Sequence, residues 1–266
     1  MRAIDDRENG VGVPRENRVK KKLAEGGIAT VVGGYITADI IEVFGQFPFD
    51  GIWIEAEHGP VDYRDIPNLT RACDLWGKTS VVRVGLNLEN VIYRTLDLGA
   101  QAIVVPHVNT ADEARAVVRA AKYHPLGMRG SYGGRQSLGV PDYQPRANEQ
   151  TMTIVLVEDI VAVRNLPEML EVDGIDVFFV APGDLAQTMG HLGNISHPDV
   201  VATIRDAIGQ IVGAGRVAGA MSGDEIVEYY IDLGARFLFN SWDAWLADGS
   251  RTFLDRVASA VKDRPS

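Results

Sequence analysis

Reactive side chains recur in this sequence at intervals close to one strand-plus-helix unit, each beside a short apolar run. Glu55, Glu57 and His58 follow Gly51–Ile54, Arg83 stands near the end of Ser80–Val84, and His107 follows Ala102–Val105. Glu158 ends Thr153–Val157, and Asp184 follows Ile175–Val180. His58 and Arg83 lie 25 residues apart, Arg83 and His107 24, and Glu158 and Asp184 26. Carboxylates on neighbouring strands, as Glu158 and Asp184 would be, suit a hard divalent cation that keeps its other positions for water and substrate oxygens; Mg²⁺, Mn²⁺ and Co²⁺ fit. The same acids also suit helix starts, because Asp184 precedes Leu185-Ala-Gln-Thr-Met189 and a helix N-terminus favours negative charge. Arg83 offers a planar fork to a substrate carboxylate or keto oxygen, or an internal ion pair to Glu55 or Glu57. His58 has the side chain whose unperturbed pKa lies near neutrality, and it stands in the dense polar turn Glu55-Ala-Glu-His-Gly-Pro60. That context favours a general base over a structural histidine. His107, His124, His191 and His197 have weaker contexts and are read as structural.

Other chemistries are disfavoured. The chain has no Cys/His cluster at zinc spacing, no His-Glu-x-x-His and no Gly-x-Ser-x-Gly elbow. Its lysines, Lys20, Lys21, Lys22, Lys78, Lys122 and Lys262, all fall outside the positions directly after strand runs, where a Schiff-base amine would be needed. Carbon–carbon bond chemistry beside a ketone would therefore require a metal. Cys73 has no disulfide partner and falls in Asp65 to Trp76, which reads as a helix packed on a core.

The elements that must position these groups are eight β-branched runs: Ile28–Val32, Gly51–Ile54, Ser80–Val84, Ala102–Val105, Thr153–Val157, Ile175–Val180, Arg216–Gly219 and Arg236–Phe239. Between them apolar residues recur at helical spacing, as in Ala114, Val117, Val118 and Ala121. Continuous apolar runs indicate strands buried on both faces. Eight such units in 266 residues predict a single α/β domain, a closed (β/α)₈ TIM barrel, a fold of about 250 residues whose catalytic groups stand where strands end. An open doubly wound sheet fits less well, because Val32-Gly33-Gly34-Tyr35 lacks the dinucleotide-binding glycine spacing. Two stretches break the repeat: a polar arm, residues 1–16, and a Gly/Pro/Tyr-rich stretch, residues 123–149, a candidate active-site loop.

Hydrophobic content of 46% supplies a core, and no run reaches the roughly 20 apolar residues of a membrane span. The N-terminal residues lack the apolar middle of a secretory signal, so the cytoplasm is the expected compartment. A net charge of −10 argues against a nucleic-acid partner; the basic run Arg18 to Lys22 is read as a solvated helix face. An anion site must then rest on a local arginine, a metal or helix N-termini.

Taken together these residues resemble the HpcH/HpaI family of class II pyruvate aldolases, which includes the 4-hydroxy-2-oxoheptanedioate and 2-keto-3-deoxyglucarate aldolases. The likeness runs from about Val19 to Gly249. It is carried by Phe49-Asp-Gly-Ile-Trp-Ile-Glu-Ala-Glu-His-Gly-Pro60, Val81-Val-Arg83, Leu96-Asp-Leu-Gly-Ala-Gln-Ala-Ile-Val-Val-Pro106, Gly127-Met-Arg-Gly130, Glu158 and Gly174-Ile-Asp-Val-Phe-Phe-Val-Ala-Pro-Gly-Asp-Leu185. The resemblance implies a barrel of the phosphoenolpyruvate/pyruvate type, assembled as a homohexamer (a trimer of dimers) with the last helix exchanged between subunits. It implies Glu158 and Asp184 as ligands of Mg²⁺, Mn²⁺ or Co²⁺, a 2-keto acid held at that metal, and Arg83 stabilising the enolate formed as C3 loses its proton. His58, aided by Glu55 and by Asp97 from a neighbouring subunit, would handle the proton of the 4-hydroxyl or aldehyde oxygen. The amides of Gly183 and Asp184 would receive the keto-acid carboxylate, and Met221 would line the pocket. The chain departs from the family in having Glu55 for the usual Asp, Leu156 for the usual Gln two residues before the metal-binding Glu, and Ala181-Pro-Gly-Asp184 for Gly-Pro-Ala-Asp. These departures bear on substrate preference and rate.

The leading expectation is an aldolase joining or parting pyruvate or hydroxypyruvate and an aldehyde. Decarboxylation of an oxaloacetate-type keto acid at the same metal, a CoA-thioester lyase of the citrate-lyase type and a non-catalytic binding barrel are the other readings, the last because fold alone never fixes activity.

Overall fold

The structure, a computed structural model, describes residues 12–262. Eight strands follow one another in the order expected: β1 Ala29–Gly33, β2 Gly51–Glu55, β3 Thr79–Arg83, β4 Ala102–Val105, β5 Met152–Val157, β6 Val177–Val180, β7 Ala218–Met221 and β8 Phe237–Ser241. Each pairs in parallel with its sequence neighbours, and β8 pairs with β1, so the sheet closes into a barrel. Parallel strands need crossovers, and the intervening helices supply them. The Asp65 to Trp76 stretch forms the helix Ile66–Leu75, and Cys73 is fully buried there. Burial pushes its thiol pKa up, which makes it inert.

The period-2 alternation of a strand sorts the side chains. Val31, Trp53, Val81, Val104, Ile154, Leu156, Val177, Phe179, Phe237 and Phe239 fill the barrel, whereas Val32, Ile52, Ile54, Val82, Ile103, Val155, Val157 and Phe178 pack against the helices. The interior is aromatic toward the strand ends: Trp53 lies 4.5 Å from Phe239 and 5.6 Å from Phe179, ring centre to ring centre.

At the opposite end the helix Arg18–Ala24 closes the barrel, with Val19 and Leu23 buried in its interior cluster. The basic run is thus only partly a solvated face: Arg18 and Lys22 pair with the buried Asp50, and Lys20 pairs with Asp176. A cavity of about 560 Å³ beside this helix is lined by Arg15, Arg18, Lys22, Asp50, Asp74 and Lys78, whose charges largely answer one another. Of the polar arm read at residues 1–16, residues 1–11 lie outside the described part.

Residues 123–149 lie between the helix Ala111–Ala121 and β5, and they carry a short turn of helix, Arg135–Ser137, and all but the last residue of the helix Tyr143–Gln150. A helix-to-strand connection lies at the end where strands begin. In its own barrel this stretch therefore sits away from the rim where β2, β3, β5 and β6 end.

Candidate active site

Two residues beyond an inward-facing strand residue, the next inward side chain leaves the packed interior. Trp53 is followed in this way by Glu55, Val81 by Arg83 and Leu156 by Glu158, and Glu55 and Arg83 are register partners. This alternation aims the acids and the arginine at the barrel axis.

Glu55 is the most heavily bonded of the set. Its Oε1 accepts from the backbone N–H groups of Glu57 (2.8 Å) and His58 (3.0 Å), and its Oε2 from Arg83 Nε (2.7 Å) and Trp53 Nε1 (3.2 Å). Burial works against this carboxylate, but the Arg83 guanidinium and the two amides outweigh it and hold its pKa below the ordinary range. Arg83 Nε also lies 3.2 Å from Glu57 Oε2, so the internal ion pair read as an alternative for Arg83 is formed with both glutamates.

Glu158 is 2% exposed, and its Oε1 accepts from the backbone N–H of His107 at 2.7 Å. Burial, together with the nearby charges of Asp184 and Glu57, raises its pKa against the opposing pull of His107. Asp184 stands in the first turn of the short helix Pro182–Thr188, which opens just after β6. Gly183 beside it has no atom within 4 Å of where a Cβ would be, leaving the helix start open to a small group. Both readings of Asp184 are thus compatible with its place: it is an acid at a helix start and it is a near neighbour of Glu158.

His58 is 68% exposed, and its nearest acid is Glu57, at 3.8 Å from Nε2. Glu55 touches its backbone, not its imidazole. Met221, at the end of β7, lines the same cavity of about 270 Å³ as Trp53, Glu55, His58, Arg83 and Leu156. Glu158 and Asp184 are not among the residues that line that cavity; Leu156 and Ala181, two and three residues before them in the chain, are.

Asp97 is the site residue that a single chain does not bring to the rim. It ends the helix Glu89–Asp97 at the strand-start side and bonds Arg129 at 2.6 Å.

Two residues join the cluster that sequence reasoning had not assigned to the chemistry. Glu57 is half-buried between Arg83, His58 and His107, and burial raises its pKa. His107 was set aside as structural, yet its ring spans Glu57 (3.6 Å from Nε2) and Glu158 (3.3 Å from Nδ1). Its φ of 54° is rare for a non-glycine residue, and such strain gathers at functional positions. The signal available was its place directly after β4.

The lysine exclusion also stands. Lys122 has its pKa lowered by burial to about 8, but it sits by Thr151 and Asp176 at the strand-start end.

Glu57, Glu158 and Asp184 crowd one side of the rim, while Arg83 is already matched by Glu55 and Glu57. An excess of partly buried carboxylate with hard oxygen donors fits a divalent cation. The fold and the reactive groups at its rim thus define an enzyme of the (β/α)₈ barrel class. The sequence profile of the HpcH/HpaI aldolase/citrate lyase family matches residues 35–241, and the chain belongs to that family, a divalent-metal-dependent aldolase by class. It is 37% identical over 235 residues to a hydroxypyruvate/pyruvate aldolase of Roseobacter denitrificans, an alignment covering 85% of this chain and 91% of that one. It is 41% identical over 228 residues to a 4-hydroxy-2-oxo-heptane-1,7-dioate aldolase of Klebsiella pneumoniae, covering 84% and 83%. A crystal structure of an HpcH/HpaI aldolase/citrate lyase family protein from Burkholderia cenocepacia superposes with a TM-score of 0.85 at 30% identity, over 91% of this chain and 99% of that one.

Proposed function

We propose that this enzyme catalyses reversible aldol addition between pyruvate or hydroxypyruvate and an aldehyde, in the cytoplasm, with Mg²⁺, Mn²⁺ or Co²⁺ held by Glu158 and Asp184. The observation that carries the reading is the pairing, at one rim, of a crowded carboxylate cluster with a single arginine whose guanidinium is anchored through Nε alone. When bound, the cation supplies Lewis acidity toward the keto oxygen.

The chain's own groups do the rest. Glu55 and Glu57 fix Arg83 by its Nε and leave its other N–H groups to stabilise negative charge on the keto oxygen. The open amides of Gly183 and Asp184 receive the carboxylate of the keto acid. His58, exposed at the mouth beside Glu57, moves the proton of the hydroxyl that is made or broken. Leu156, Trp53, Phe179 and Met221 give the cavity apolar walls. These walls suit a small acceptor with few charges.

Asp97 of a neighbouring subunit completes the proton path in this account, within a homohexamer built as a trimer of dimers. The exposed C-terminal helix supports an assembly: Trp242–Lys262 buries none of its residues and exposes Leu246, Phe253, Leu254, Val257 and Val261 at helical spacing.

The test is product formation. Hydroxypyruvate or pyruvate incubated with a short aldehyde and Mg²⁺ is expected to give the 4-hydroxy-2-keto acid by mass spectrometry, with chelator abolishing it and His58→Ala slowing it by about 10²-fold or more. Turnover of oxaloacetate exceeding aldol formation by orders of magnitude would replace this reading with decarboxylation.

A further inference from the structure

A second cavity opens at the strand-end rim, about 340 Å³ in volume, and it shares two lining residues, Met221 and Ser241, with the cavity of about 270 Å³ described above. Strand alternation puts both residues there. A Cβ on Gly219 would stand 2.7 Å from the Phe179 ring, so Gly219 faces the barrel interior, and Met221, two residues on, is the next inward side chain, exposed at the end of β7. Phe237 and Phe239 lead to Ser241 at the end of β8 in the same way. Met221 thus forms part of the wall of both spaces.

The outer cavity lies between the start of the helix Pro198–Gly213, which contributes Val201 and Ile204, and the turn after β7, which contributes Gly223 and Ile226. None of its lining residues is charged, in a chain of which 23% is Asp, Glu, Lys or Arg. The turn after β7 shows how this is arranged. Gly223 and Ile226 line the cavity, whereas Asp224 and Glu225 between them do not, and Asp224 instead accepts from Trp245 Nε1 at 2.8 Å. A Cβ on Gly223 would meet no atom within 4 Å, so the space beside it is open. Ile195, Val201, Met221 and Ile226 are apolar and yet exposed. Apolar exposure gathered around one concavity marks a binding surface, where single scattered residues do not. Small-molecule pockets of about 300–1,000 Å³ are lined mainly by such side chains. Pro182, which opens the helix that carries Gly183 and Asp184, also lines the outer cavity, so it begins beside the place proposed for the keto acid.

We propose that this outer cavity receives the apolar chain of the aldehyde, which reaches it past Met221, so that the acceptor class of this enzyme is the unbranched aliphatic aldehydes. The inference rests on the aldol reading above and names its acceptor. The aldehyde group stays in the inner cavity with Arg83 and His58, and the chain leaves those charged groups for a lining that has none. Met221 suits the passage, because an unbranched side chain with three rotatable bonds moves aside without moving the backbone.

The test is the dependence of kcat/KM on chain length, with pyruvate and Mg²⁺ held constant and acceptors running from ethanal to hexanal. It is made on the wild type, on Ile226→Trp, which fills the outer cavity, and on Ile226→Asp, which puts a charge in it. The wild type is expected to gain about threefold or more for each methylene beyond propanal, so that hexanal exceeds propanal by about 30-fold. The ratio of hexanal to propanal compares two substrates on one enzyme, so partial loss of folded protein cancels from it. In both variants that ratio is expected to fall by about tenfold or more. A flat or falling series in the wild type, as a cavity filled by a neighbouring subunit would give, would overturn the proposal, and so would a ratio that the variants keep. Product from no aldehyde at all, ethanal included, would overturn the aldol reading and this proposal with it.

Discussion

Glu55 makes four hydrogen bonds with two oxygens, and through them it sets the positions of Arg83, of the turn to His58 and of the indole beneath the site. Its side chain is long enough to bring the carboxylate within 3.2 Å of Trp53 Nε1. Because its pKa in the folded protein lies below the ordinary value of 4.5, the stability it contributes is present above that value and is lost as pH falls through the folded pKa. Glu55→Gln should therefore cost about 2 kcal/mol in urea unfolding at neutral pH. The deficit should shrink as the wild-type carboxylate protonates in acid, and an equal deficit at both pH values would contradict this role. Glu57 and Glu158 have raised pKa values and oppose this trend, so the difference between wild type and the single variant is the quantity to follow. Glu55, Arg83 and Glu158 were legible in the sequence because each follows an inward strand residue by two. Glu57 and His107 were legible as polar residues after strands, but their approach to one another was not, because it depends on how the β2 and β4 loops curl together, and nothing local to either segment encodes that distance.

At the scale of elements, all eight strands were legible within about two residues, because strands buried on both faces write themselves as uninterrupted β-branched runs. The placement of residues 123–149 was harder to read. Their glycines, prolines and tyrosines resemble a rim loop in composition, but topology puts them between a helix and the next strand. Only counting strands distinguishes the two ends. The floor of the site depends on close approach: a Cβ on Gly33 would stand 2.8 Å from Trp53 Cβ and 2.8 Å from the Phe239 ring. Gly33 thus lets those aromatics stack directly below the rim. Gly33→Ala should destabilise by about 1–3 kcal/mol in thermal or urea unfolding, the cost of overpacking a filled core. A neutral effect would show that the aromatic layer gives way.

For the whole molecule, the net charge of −10 means that the proposed binding of an anionic keto acid would be a local matter, resting on Arg83, the helix start at Pro182 and the proposed cation. No helix among the described residues is long and apolar enough to cross a membrane; in the proposed hexamer a neighbouring subunit covers the apolar face of the C-terminal helix. The measurement that reaches the central claim most directly is exchange of the C3 protons of pyruvate with deuterated water, followed by NMR in the presence of Mg²⁺. It isolates enolate formation from the choice of aldehyde. The account predicts metal-dependent exchange that chelator abolishes and that Glu158→Ala slows by about 100-fold or more. Exchange that persists undiminished in Glu158→Ala, or none with any of Mg²⁺, Mn²⁺ and Co²⁺, would contradict it.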